Sequence, residues 1–172
     1  MNQFVFNCNN KNSLYGLCDG LKLVYNTPNP VILCVGSDLV IGDSLGPIVG
    51  SEIYKKLKGK AYVYGTLDSP ITAKEINLVS GLVKKLHPKS KILVIDAAVG
   101  DKDDVGLIKL TDDGIKPGLG VLKNLNKIGD VSIIGITSER VSSSNDLLGG
   151  VRFSLIRKIV DVIVNSILLS YK

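Results

Sequence analysis

Histidine is almost missing from this chain of 172 residues, with His87 the single example. A Ser or Cys hydrolase that needs a neighbouring imidazole has only that residue to draw on, and His-rich metal sites are excluded. Cysteine is scarce too: Cys8, Cys18 and Cys34 are odd in number and irregularly spaced, and Cys34 lies inside an apolar run. Such a set argues for buried, reduced thiols in a cytoplasmic compartment, not a disulfide framework. Aromatic residues make up 5% of the chain, and few lie among the lysines, such as Lys55, Lys56, Lys58 and Lys60, that contribute to the net charge of +5. With so few rings to stack on bases, these lysines read as a solvated surface, and no nucleic-acid partner is expected.

Met1 to Asn12 has neither the basic start nor the apolar centre of a signal peptide, so the mature chain is expected to begin near Met1. The longest apolar stretch, Val151 to Tyr171, is interrupted by Arg152, Arg157, Lys158 and Asp161, which makes a membrane span expensive and a core-packed terminal helix the better explanation. No membrane partner is expected. The G-x-G-x-x-G fingerprint is missing between Gly36 and Gly46 and no G-K-[ST] loop occurs, so nucleotide binding has no support. Repeats and low-complexity segments are lacking as well.

What is present is a core. A hydrophobic content of 45% over residues 1–172 suits one domain. Leu14, Leu17, Leu21 and Val24 recur at helical spacing and predict a first helix over Asn12 to Tyr25. Val31 to Val35 is short and continuously apolar, as a fully buried strand should be. Pro47 suits the first turn of a helix reaching about Leu57, with Gly46 as its cap. Strands follow at Ala61 to Tyr64, Lys91 to Ile95, Gly106 to Leu110 and Val131 to Ile136. A helix from Ser69 and Pro70 to about Leu86, with Thr72 and Glu75 as a capping box, and a last helix over Val151 to Ser170 complete the list. Lys116 to Ile128 reads as a PGLG loop with a short helix. Strand and helix alternation predicts an α/β fold with a mostly parallel sheet.

The chemistry concentrates at two strand ends, VGSDLVIGDSLGP over Val35 to Pro47 and KILVIDAAVG over Lys91 to Gly100. Asp43 and Asp96 each follow an apolar run and are expected to meet at the carboxyl edge of the sheet, where open α/β folds keep ligands. Two close carboxylates can activate water or hold a metal without histidine. Against this, Asp43 can serve as a helix cap and Asp96 as an acceptor of turn amides. Asp68, after the second strand, is a third acid that can equally cap a helix, and His87 reads as an exposed helix-end residue. The tetrapeptide Gly42-Asp43-Ser44-Leu45 spells the GDSL esterase signature, but no histidine near the chain's end is there to deprotonate Ser44. Gly36, Gly42, Gly118 and Gly120 are expected to let the backbone approach a substrate strand.

Together GSDLVIGDSLGP, YGTLDSP, IDAAVG and KPGLGVLK resemble the YyaC-type sporulation proteins of spore-forming bacteria, over about Val31 to Arg152. More distantly, GDSLGP, IDA and PGLGV look like the spore germination proteases, and the first two motifs like the hydrogenase maturation endopeptidases. The resemblance implies a three-layer α/β/α sandwich (phosphorylase/hydrolase-like), a peptide or protein substrate, and a place in the cytoplasm of a spore-forming cell or forespore. It also implies that Asp43 and Asp96 are the essential acids. The maturation endopeptidases add a histidine ligand for nickel, and no histidine follows IDA here, so no resident cofactor is expected. A divalent ion held by Asp43 and Asp96, with Asp68 as a further oxygen ligand, is an alternative, as is a non-catalytic binder of a peptide tail.

Overall fold

The computed structural model describes residues 2–115, 127–140 and 150–172. Its centre is a six-stranded sheet in the order β1-β5-β6-β4-β2-β3. The strands are β1 (Gln3–Asn7), β2 (Val31–Cys34), β3 (Tyr62–Tyr64), β4 (Ile92–Gly100), β5 (Leu107–Thr111) and β6 (Val131–Glu139). The helices are α1 (Ser13–Val24), α2 (Leu45–Lys56), α3 (Ile76–Leu86) and α4 (Phe153–Ser170). β2 lies parallel to both β3 and β4, and β4 to β6, while β5 and β1 form an antiparallel edge. The fold is a mostly parallel α/β sandwich.

The period-two alternation of the central strands builds two cores. Ile32, Cys34, Leu93, Ile95 and Ile133 face α1, α2 and α4. Val31, Leu33, Ile92 and Val94 face the other way, onto Ile76 and Val83 of α3. Burial on both faces is why these strands read as unbroken apolar runs. Burying each such side chain contributes roughly 2 kcal/mol. The chain moves outward from β2 through α2 to β3, then back across β2 through α3 to β4. Since such crossovers keep one hand, this reversal puts α2 and α3 on opposite faces and opens a crevice between the ends of β2 and β4.

Four expectations need correction. β1 was not anticipated; Phe4 and Phe6 are its half-buried positions, and a five-residue edge strand carries only this weak alternation. β5 runs antiparallel to its neighbour β6, because the link from β4 through Asp101–Gly106 contains only the 3₁₀ turn Lys102–Asp104 and no crossover helix. α3 starts at Ile76 and not at Ser69, because Thr66 and Ser69 exchange backbone hydrogen bonds in a tight turn. Glu75 still accepts the Thr72 N–H at 3.1 Å, so half of the predicted box forms as a local turn. Pro47 is the third residue of α2, whose cap position is held by Ser44 and not Gly46. A 3₁₀ turn over Ile41–Asp43 feeds directly into the helix, and Pro47 still lies among the first N–H positions that need no partner.

Gly36 is where the chain leaves β2. Its φ is +136°, and a Cβ there would stand 2.1 Å from the Asp43 carbonyl oxygen. Gly36→Ala is therefore expected to destabilise the protein by about 2–3 kcal/mol, measured by urea unfolding. A change below about 0.5 kcal/mol would show that the turn carrying Asp43 can move aside.

Candidate functional site

Asp96 lies within β4 and not beyond its end, which corrects its predicted place. β4 pairs with β2 only as far as Cys34 and Ile95, where the Val35 N–H still reaches the Ile95 carbonyl at 2.8 Å. On its other side β4 continues along β6 to Gly100. Asp96 thus stands at a notch, paired on one side and facing the crevice on the other. Ile95 and Ala97 pack toward α1, α2 and α4, so alternation points Asp96 toward the α3 side.

Asp43 comes from the 3₁₀ turn that follows β2. Its N–H donates to Val40 at 2.9 Å and its carbonyl accepts the Ser37 N–H at 3.1 Å, which closes the loop over Gly36. The Gly36 N–H in turn donates to the Ile71 carbonyl at 2.9 Å. Gly42 is buried, and its carbonyl accepts the hydroxyl of Thr137 at 3.0 Å. Thr137 stands at an irregularity of the ladder, since Ala98 pairs with Ile136 but Val99 pairs with Ser138. A bulge of this kind frees one residue to turn out of the ladder, and here that residue braces the Asp43 turn. Nothing in the sequence singled out Thr137 beyond its being a polar residue in an apolar strand.

The electrostatics join the two acids. Burial raises the Asp43 carboxyl from 3.8 to about 6, partly offset by the Ser37 N–H. Burial, then the charge on Asp43, raises the Asp96 carboxyl from 3.8 to about 8, with the Ala97 N–H pulling the other way. That N–H donates to Asp96 Oδ1 at 2.8 Å. At neutral pH the pair therefore holds one proton, chiefly on Asp96. The two groups titrate as a unit, because each proton lost makes the next harder to remove.

The other predicted residues divide. Asp68 sits on the exposed turn between Thr66 and Ser69 and is not among the groups that shift either acid. Gly36 serves the close packing of the Asp43 turn, and Gly42 is buried within that turn. Gly118 and Gly120, with most of the PGLG segment, lie outside the described residues. Ser44 is buried and donates its hydroxyl to the Ile41 carbonyl at 2.7 Å. His87 is half-buried, contrary to the exposed position expected. Its ring lies against Tyr62 and its Nε2 is 2.7 Å from the Tyr64 hydroxyl. Among the described residues no third His, Cys, Asp or Glu joins the acids in a metal-ligating cluster. A hard cation held there would take oxygens from the two carboxylates and complete its shell with water.

A groove of about 500 Å³ opens beside this turn, lined by Asn9, Lys102, Thr137, Arg152 and Lys158 among others. It touches the acid-bearing loop through Thr137, and neither acid lines it. Among the described residues, no helix is long and apolar enough to cross a membrane.

Comparison with known proteins gives two matches. The family described as "Protein of unknown function (DUF1256)" matches residues 5–166. The chain is also 32% identical over 140 residues to a Bacillus subtilis (strain 168) protein described as "Uncharacterized protein YyaC", an alignment that covers 81% of this chain and 68% of the relative. Asp43 and Asp96 both fall within the span matched by the family.

Proposed function

This chain belongs to the DUF1256 family, and on that premise we propose that it is a sporulation-associated, peptidase-like hydrolase whose catalytic residues are Asp43 and Asp96. The observation that carries this is the unequal pair of raised carboxyls at the notch between β2 and β4. In the one-proton state, ionised Asp43 takes a proton from water as the water oxygen attacks a peptide carbonyl. Protonated Asp96 donates to the carbonyl oxygen and stabilises the charge that develops there. Collapse of the tetrahedral intermediate returns the proton from Asp43 to the leaving nitrogen, and the hydroxyl formed from the carbonyl oxygen gives its proton back to Asp96 as the C=O re-forms. The sporulation role, the cytoplasmic location and the kinship with germination proteases rest on the motif resemblance.

Both acid shifts set the pH dependence. The active one-proton state is populated between about 6 and about 8. kcat/KM is therefore expected to form a bell with its maximum near the midpoint, falling about tenfold per pH unit on either side. EDTA is expected to leave this profile unchanged. Loss of activity with EDTA and its return with a divalent ion would move the chemistry to a metal held by the same two acids.

A second reading, a binder that holds a peptide without cutting it, is favoured by the placement of the groove apart from both acids. Incubation with a mixture of synthetic peptides, followed by mass spectrometry, separates the two. Retained but intact peptides would select the binder.

A further inference from the structure

β6 meets the chain on either side of Asp43. Gly135 leaves room for Leu45, since a Cβ at position 135 would stand 2.4 Å from Leu45 Cδ2. Two residues on, the Thr137 hydroxyl donates to the Gly42 carbonyl at 3.0 Å. Leu45 and Thr137 are both buried, Thr137 with only 1% of its surface exposed, so water does not compete for that bond. Asp43 is held between two fixed points.

The same strand also holds Asp96. β2 and β4 stop pairing at Cys34 and Ile95, so no ladder joins the two acids directly across the notch. Asp96 instead pairs with Ile134 of β6, three residues before Thr137. β6 is thereby bonded to the backbone of one acid and to the turn that carries the other, and it sets their separation. The ladder irregularity that leaves Thr137 without a partner on β4 turns it toward Gly42. Valine has the same branched shape as threonine, and packing alone would not call for a hydroxyl at this buried position. Removing the hydroxyl would strip the Gly42 carbonyl of its bond and free the turn to shift.

The structure assigns Thr137 the role of a positioning residue that fixes Asp43 relative to Asp96 through the Gly42 carbonyl, a role that rests on the dyad proposed above. Thr137→Val is expected to lower kcat for peptide cleavage about 10- to 100-fold and to leave KM within about twofold, because the misplaced group acts in the reaction and not in binding. Thr137→Ser keeps the hydroxyl and is expected to stay within about threefold of the wild-type kcat. Thr111→Val loses a comparable bond, 2.7 Å to the Ser132 hydroxyl near the other end of β6, and is expected to leave kcat unchanged. Carboxyl-carbon NMR titration gives a readout independent of cleavage. The wild-type Asp43 and Asp96 carboxyls are expected to titrate at about 6 and about 8. In Thr137→Val both midpoints are expected to fall toward 3.8, as the loosened turn admits water and carries the Asp43 charge away from Asp96. Should the valine variant not fold, Thr137→Cys, whose thiol donates only weakly, is expected to shift both midpoints the same way by less. Unshifted midpoints in the folded variant would overturn the assignment, and so would equal losses of kcat in Thr137→Ser and Thr137→Val. A wild-type chain that cleaves no peptide would count against the dyad and not against Thr137, on which the titration then decides alone.

Discussion

Asp43→Asn and Asp96→Asn are each expected to lower kcat/KM for peptide cleavage by about 10³-fold or more. The amide at position 43 cannot take a proton from water, and the amide at position 96 has no proton it can transfer. Side-chain volume and most hydrogen-bonding capacity are kept, so the loss isolates proton transfer from packing. Because the proposed mechanism uses the acids as one unit, the double variant is expected to be scarcely slower than either single one. Asp19→Asn, on the exposed face of α1, supplies a control that leaves the rate within about twofold. Wild-type rates in both amide variants would remove the dyad from the mechanism. A loss confined to one of them would leave a single-acid mechanism.

The same Asp96→Asn change is expected to make the protein more stable, and increasingly so as pH rises. Burial and the nearby Asp43 charge hold the Asp96 carboxyl at about 8, against 3.8 for a free aspartate. Below 3.8 the folded and unfolded chains are both protonated, and Asp96 contributes no pH dependence. Between 3.8 and about 8 the unfolded chain releases a proton that the folded chain keeps, so wild-type stability falls as pH rises. Above about 8 the loss is complete and constant. Asparagine does not ionise in either state and escapes it, and its side-chain oxygen can still accept the Ala97 N–H. The gain is on the order of 4 kcal/mol at neutral pH and about 1–2 kcal/mol near pH 5. Urea midpoints for both proteins at about pH 5 and about pH 8 check it. A difference that does not grow with pH would mean that Asp96 ionises in the folded protein as readily as in the unfolded chain. An activity-destroying substitution that stabilises is the expected mark of a site strained for chemistry.

Much of the architecture was legible in the residues because burial writes periodicity into sequence. The continuous apolar runs of β2 and β4, the three-and-four spacing of α1, and Ile156, Ile159, Val160, Ile163 and Ile167 on α4 all lie where expected. β1 escaped because an edge strand needs little apolar surface. The start of α3 was misplaced because a tight turn between Thr66 and Ser69 competes with helix formation at the same residues. The orientation of β5 depended on how a short link crosses β6, and local propensity carries no record of that.

At the site, the sequence by itself determined the two acids, their positions after apolar runs, and the lack of any histidine near the chain's end to activate Ser44. Tertiary structure alone decided that β2 stops one residue short of Asp96, leaving a notch, and that Thr137 leaves its ladder to brace the Asp43 turn. It also decided which acid keeps the proton. Residue type fixes a carboxyl's chemistry, but desolvation and a neighbouring charge fix its pKa, and both depend on which distant segments fold around it.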